Sequence, residues 1–124
     1  MFTIDFYHNK DGFSQVFCFL EDLRKRKDTD KDARIQYSQT VTYIELLSKE
    51  GTSGLPVSIV KHLEDGIWEL RPGKNRVLFF FCDVSGNYVL LHQFRKKTQK
   101  TPAGEIRKAK IERNDYLMQK REQK

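Results

Sequence analysis

The chain has 124 residues, with 23 Lys and Arg against 17 Asp and Glu, a formal net charge of +6 and a sequence pI near 9.4. That length suits one domain, residues 1–124, and needs no disulfide staple; Cys18 and Cys82 lie in apolar runs rather than in a CxxC or Cys/His cluster, so they read as small core residues of a reduced protein. No stretch approaches the roughly 18 apolar residues of a membrane span, and the N-terminus has no cationic lead into an apolar run, so a cytoplasmic protein without a membrane partner is expected.

In chain order, residues 2–8 (FTIDFYH) are rich in aromatic and β-branched types and predict a strand, which NKDG turns. From Phe13 the apolar positions 13, 16, 17, 20 and 23 predict an amphipathic helix with Phe13, Val16 and Phe17 in the core. After the polar break KRKDTDKD, Thr29 or Asp30 can cap a second helix whose buried stripe is Tyr37, Val41, Ile44 and Leu47, and Gly51 lies where a left-handed cap is wanted. Beyond the loop GTSGLP the period changes to two. Val57, Ile59 and Leu63 mark one strand, and Trp68 and Leu70 mark another. The run VLFFFCDV is apolar throughout, as in a central strand covered on both faces, and SGN makes a hairpin to YVLLHQF. Pro102, behind a Thr101 cap, opens a last helix with Ile106, Ala109, Tyr116 and Leu117 near one face. The order is that of an α+β domain: N-terminal strand, two helices, an antiparallel meander with one face covered by helices, and a C-terminal helix.

Charge is unevenly placed. Residues 1–60 hold 8 Lys and Arg against 9 Asp and Glu, and residues 61–124 hold 15 against 8, so the second half carries +7 and the first −1. A basic face of this kind suits nucleic acid or an acidic protein partner. If Trp68 and Leu70 point into the core, Glu69 and Arg71 emerge on the other face, and Arg76 opens the neighbouring strand beside Arg71. Two guanidiniums near one carboxylate could bind and cleave a phosphodiester, or form a plain cross-strand salt bridge. His92 shares a strand face with Leu90 and Phe94, as a catalyst or as a buried structural histidine. The chain has no HExxH, GxSxG, phosphate-binding glycine loop or metal-ligand cluster, so no metal and no cofactor is expected.

The segments LEDGIWELR, Arg76, LLHQFRKKTQKTP and a closing helix with Glu105, Ala109 and Tyr116 resemble the HigB-like, phage-derived branch of the RelE toxin superfamily. The resemblance spans roughly residues 57–118; the first 56 residues agree only in the order of elements. It implies a RelE-like fold and the toxin of a type II toxin–antitoxin pair: a metal-independent endoribonuclease that cuts messenger RNA on the ribosome and inhibits translation. It also implies neutralisation by a cognate antitoxin, a helix-turn-helix HigA-like protein, in a heteromeric complex.

Carried over by position, the site implied is Arg71, Arg76 and the Lys96/Lys97 pair, with His92 as a further candidate. This chain lacks the tyrosine that some relatives place near the end of the last strand, so the general acid is not named by the resemblance. On this reading Glu69 or His92 takes the proton of the attacking 2′-hydroxyl, while Lys61, Lys74, Arg95, Lys96, Lys97 and Lys100 hold RNA. The alternative is a non-catalytic RNA- or protein-binding module using the same basic face.

Overall fold

The computed structural model describes residues 1–122. Strand β1 (Thr3–Phe6) leads into helices α1 (Gln15–Arg26) and α2 (Lys31–Glu50). A short 3₁₀ turn precedes β2 (Val60–Glu64), β3 (Ile67–Leu70), β4 (Asn75–Cys82) and β5 (Asn87–Arg95), and α3 (Ala103–Glu122) follows. Strands β2 to β5 form the expected antiparallel meander, and β1 joins it in parallel beside β5, giving the order β1-β5-β4-β3-β2.

Local signals explain the helix ends. Ser14 caps α1 by accepting from the Phe17 N–H, and Asp30, not Thr29, caps α2 by accepting from the Ala33 N–H. Gly51 ends α2 at φ 69°, and a Cβ there would lie 2.8 Å from the Phe2 ring, so conformation and space both demand glycine.

Several expectations need correction. The α1 core stripe runs through Val16, Leu20 and Leu23, at i, i+4 and i+7. Phe13 precedes the cap and Phe17 lies beside that stripe, so both are about half exposed, at 51% and 49%. Cys18 is on the outer side of α1 and exposed, whereas Cys82 is buried. Strand β2 begins at Val60 because the Ile59 and Val60 N–H groups turn back to the Pro56 carbonyl, which leaves Val57 exposed before the strand.

The sheet is buried on both faces, not one. Val16, Leu47, Leu70, Val77, Phe79 and Leu90 form the core under α1 and α2. Ile67, Leu78, Phe80 and Leu91 form a second core with Ala109 and Tyr116 of α3. Polar ties supplement those few apolar contacts of α3. Tyr7 Oη donates to Asp115 at 2.6 Å, Tyr116 Oη donates to Asp5 at 2.8 Å, Lys110 pairs with Glu64 at 2.5 Å, and Arg113 pairs with Asp65 at 2.9 Å. The helix is thereby tied to the β1 end and to the β2–β3 turn, and it stands over the face that Glu69 shares.

Candidate active site

Alternation along β3 sends Trp68 and Leu70 into the α1/α2 core and Glu69 to the opposite face, where its carboxylate is only 3% exposed. Glu69 Oε2 lies 3.5 Å from Arg71 Nε, and Oε1 lies 3.9 Å from Arg76 Nε and accepts from the Thr101 hydroxyl. Arg71 is also held by the Val57 carbonyl, to which Nη1 donates at 3.0 Å. Arg76 Nη1 donates to the carbonyls of Gly73 and Asn75, both at 2.8 Å, so the β3–β4 turn fixes this guanidinium beside the carboxylate. Burial pushes the Arg76 pKa down from its ordinary value; Glu69 opposes the shift and Arg71 adds to it. The group remains a cation, since arginine is not deprotonated in proteins.

Residues 96–102 lie over this cluster. The Lys96 N–H donates to the Lys74 carbonyl at 2.8 Å, which pins the start of the segment to the β3–β4 turn, while the Thr101 hydroxyl pins its end to Glu69. The space left between Glu69, Arg76 and this segment is about 10 Å³, room for one water and no more. Lys96, Lys97 and Lys100 line the same space, and Lys61 is the direct cross-strand partner of Glu69. Arg95 does not join them. Side chains alternate along β5, so Arg95 turns to the α2 side and donates to Gln36 at 3.0 Å. There it ends a chain of amides that sequence reasoning missed: Gln15 to Gln93, Gln93 to Asn75 and Asn75 to Gln36. This chain holds the residue next to Arg76 from the far side of the sheet.

His92 lies in the same cross-strand row as Glu69, with Leu78 of β4 between them, about 10 Å across the sheet. It is 1% exposed, and both ring nitrogens are engaged: Nδ1 with Glu112 Oε1 at 2.5 Å and Nε2 with Glu105 Oε1 at 3.0 Å. It binds β5 to α3 and leaves no nitrogen for a substrate. Glu105 and Glu112 had a signal in the sequence. They fall at i and i+7 on the stripe that includes Ala109 and Tyr116, where two carboxylates in a core pattern call for a buried partner.

A family model described as phage derived protein Gp49-like (DUF891) matches residues 23–114, about three-quarters of the chain. The chain belongs to this family. The phage-derived character expected from the second half agrees with this match, which begins at Leu23, well before residue 57. No curated protein matches the chain significantly. Among solved structures, similarity is found to the toxin–antitoxin complex RelBE2 from Mycobacterium tuberculosis, at 19% identity and a TM-score of 0.49, covering 77% of this chain and 98% of that one.

Proposed function

We propose that this Gp49-like protein is the toxin of a toxin–antitoxin pair and acts as a metal-independent endoribonuclease on ribosome-bound messenger RNA in the cytoplasm. The observation that carries the reading is one carboxylate, Glu69, flanked by the guanidiniums of Arg71 and Arg76 under a lysine-bearing segment. Glu69 takes the proton from a 2′-hydroxyl, the freed oxygen attacks the adjacent phosphorus, and Arg71 and Arg76 stabilise the dianionic phosphorane. The 5′-oxygen leaves with a proton from Lys96 or solvent, and a 2′,3′-cyclic phosphate remains. Glu69 is the base rather than His92, whose ring nitrogens are both engaged by α3.

A phosphodiester cannot enter a space of about 10 Å³, so residues 96–102 must move away from Glu69 for the reaction. Lys61, Lys74, Lys96, Lys97 and Lys100 then meet the RNA backbone. A HigA-like antitoxin would silence the protein most simply by covering this half. A second reading, a non-catalytic module that binds RNA or an acidic protein, draws support from the same closure, because a carboxylate bonded to Thr101 is withheld from substrate. Incubating the protein with translating ribosomes and mapping message ends decides between them. New ends that disappear with Arg71→Ala support the toxin, and the absence of new ends with the wild type supports the binder.

A further inference from the structure

A single side-chain bond closes residues 96–102 over Glu69. Both ends of the segment are tied to other groups: the Lys96 N–H donates to the Lys74 carbonyl, and Glu105, in the first turn of α3, holds His92 Nε2 at 3.0 Å. Between those ties the segment has no helix or strand. Its side-chain hydrogen bonds among the described residues are Thr98 to the Lys100 carbonyl, inside the segment, and Thr101 to Glu69, which alone reaches the body of the protein.

Two features oppose that bond. Glu69 is shared by Arg71 and Arg76, while Lys96, Lys97 and Lys100 stand around the same space with no carboxylate of their own among the described residues, so positive charge is in excess there. Arg71 Nε is buried without a hydrogen-bond partner, because Glu69 Oε2, at 3.5 Å, is too far away to accept well. A buried donor left unbonded destabilises the closed state. An RNA phosphate answers both features: its oxygens give Arg71 Nε an acceptor, and its charge balances the lysines once the segment lifts.

We infer that residues 96–102 form an autoinhibitory strap, latched shut by the Thr101 hydroxyl on Glu69 and opened by RNA phosphates that engage Arg71 Nε and the three lysines. The inference rests on the endoribonuclease reading for the identity of the opener and gives that site its regulation: the free protein is closed, and RNA opens it. Thr101→Val tests the latch, since valine keeps the shape and loses the hydroxyl, and Thr101→Ser keeps the hydroxyl. In the first measurement, a short RNA with 2′-O-methyl groups, which cannot be cut, is titrated into each full-length protein and the Arg71 Nε–H resonance followed. Closed molecules subtract from apparent affinity, so Thr101→Val should bind about tenfold more tightly than wild type, the scale of one hydrogen bond to a charged group, and Thr101→Ser should stay near wild type. Equal affinity of Thr101→Val and wild type overturns the latch. In the wild type itself, the Thr101 methyl should shift at the same RNA concentrations as Arg71; a methyl that stays unmoved while Arg71 saturates overturns the strap.

In the second, cleavage of naked RNA is compared with cleavage of messages on translating ribosomes. Thr101→Val should cut naked RNA about tenfold faster than wild type and gain much less on ribosomes, whose own phosphates already open the strap. An equal gain on both keeps the latch and assigns its opening to the substrate strand alone. No gain on naked RNA, with wild-type cutting on ribosomes intact, overturns the latch and leaves the ribonuclease in place. If no protein cuts either substrate, the ribonuclease reading falls and the titration alone decides the strap.

Discussion

Glu69→Gln is the most informative single change. It keeps the shape of the side chain and an oxygen to accept from Thr101, but removes the charge between two guanidiniums. At an effective dielectric constant of about 20, unit charges 3.5 and 3.9 Å apart attract by roughly 4–5 kcal/mol each before desolvation is counted. Desolvation of a carboxylate that is 3% exposed takes back much of this. What the substitution leaves is a buried Arg76 without its counterion, and breaking a buried pair in this way costs about 3–5 kcal/mol. Neither contact has the short distance of a well-made charged hydrogen bond, so the low end, about 3 kcal/mol, applies. For a chain of this size each kcal/mol lowers Tm by about 3–5 °C, so a fall of about 10–15 °C is expected. If Glu69 is also the base, cleavage measured well below that lowered Tm should fall by about 10²–10⁴-fold. A Tm within a couple of degrees of wild type would refute the ion-pair argument, and full cleavage by a folded Glu69→Gln protein would refute the base.

Arg71→Ala should lower cleavage by about a hundredfold or more, the scale of one charged donor at the transition state, while circular dichroism reports a folded chain. His92→Gln loses at least one of the two carboxylate bonds to α3, so calorimetry should report a clear drop in Tm; unchanged stability with lost cleavage would return His92 to the catalytic set. Replacing Lys96, Lys97 and Lys100 together by Gln should reduce the slope of log affinity for single-stranded RNA against log salt by about 2, at about 0.7 per lost phosphate contact, and an identical slope would mean that these cations are idle. Burial and the Asp5 carboxylate push the Tyr116 hydroxyl up to about 12, and burial with Asp115 raises that of Tyr7. A raised folded pKa gives stability that is present below the unfolded value near 10 and is lost as pH rises through the folded value. Urea midpoints should therefore fall between about pH 10 and pH 12, and less steeply in Tyr116→Phe.

What the sequence made legible was whatever leaves a period or a cap. Trp68 and Leu70 alternating with Glu69 revealed the facing of β3, and the unbroken apolar run from Val77 predicted a strand covered on both sides. The covering of the second face was not drawn from that run, although it follows from it, because α3 carries only Ala109 and Tyr116 as fully buried residues and is otherwise held by polar ties. Such ties join residues more than 100 positions apart, as in Tyr7 to Asp115, and no window of sequence displays them. The register of β2 failed for a local reason. Pro56 accepts two turn bonds and delays the strand by three residues past Val57, a shift that alternation alone does not reveal.

The candidate site divides in the same way. That Arg71 and Arg76 meet one carboxylate follows from strand alternation and a short turn, both local. That the carboxylate is closed does not, because its lid bond comes from Thr101, 32 residues later, and a threonine before a proline at a helix start reads most simply as a cap. The run RKKTQK makes the point within six residues. As a block of like charge it reads as one basic patch, yet pleating extends through Arg95 and sends it to Gln36, while Lys96, Lys97 and Lys100 lie beyond the strand beside Glu69 and Arg76. Where β5 ends therefore decides which cations share the face of the carboxylate. The sheet sets that boundary, since the Lys96 N–H still reaches the Lys74 carbonyl after the ladder with β4 has closed at Asn75 and Arg95. The lysines are thus held near the cluster by a backbone bond at one end and by the Thr101 hydroxyl at the other. Releasing the second while keeping the first would swing them outward without detaching them, the motion that admitting a phosphate between Glu69 and Arg76 requires.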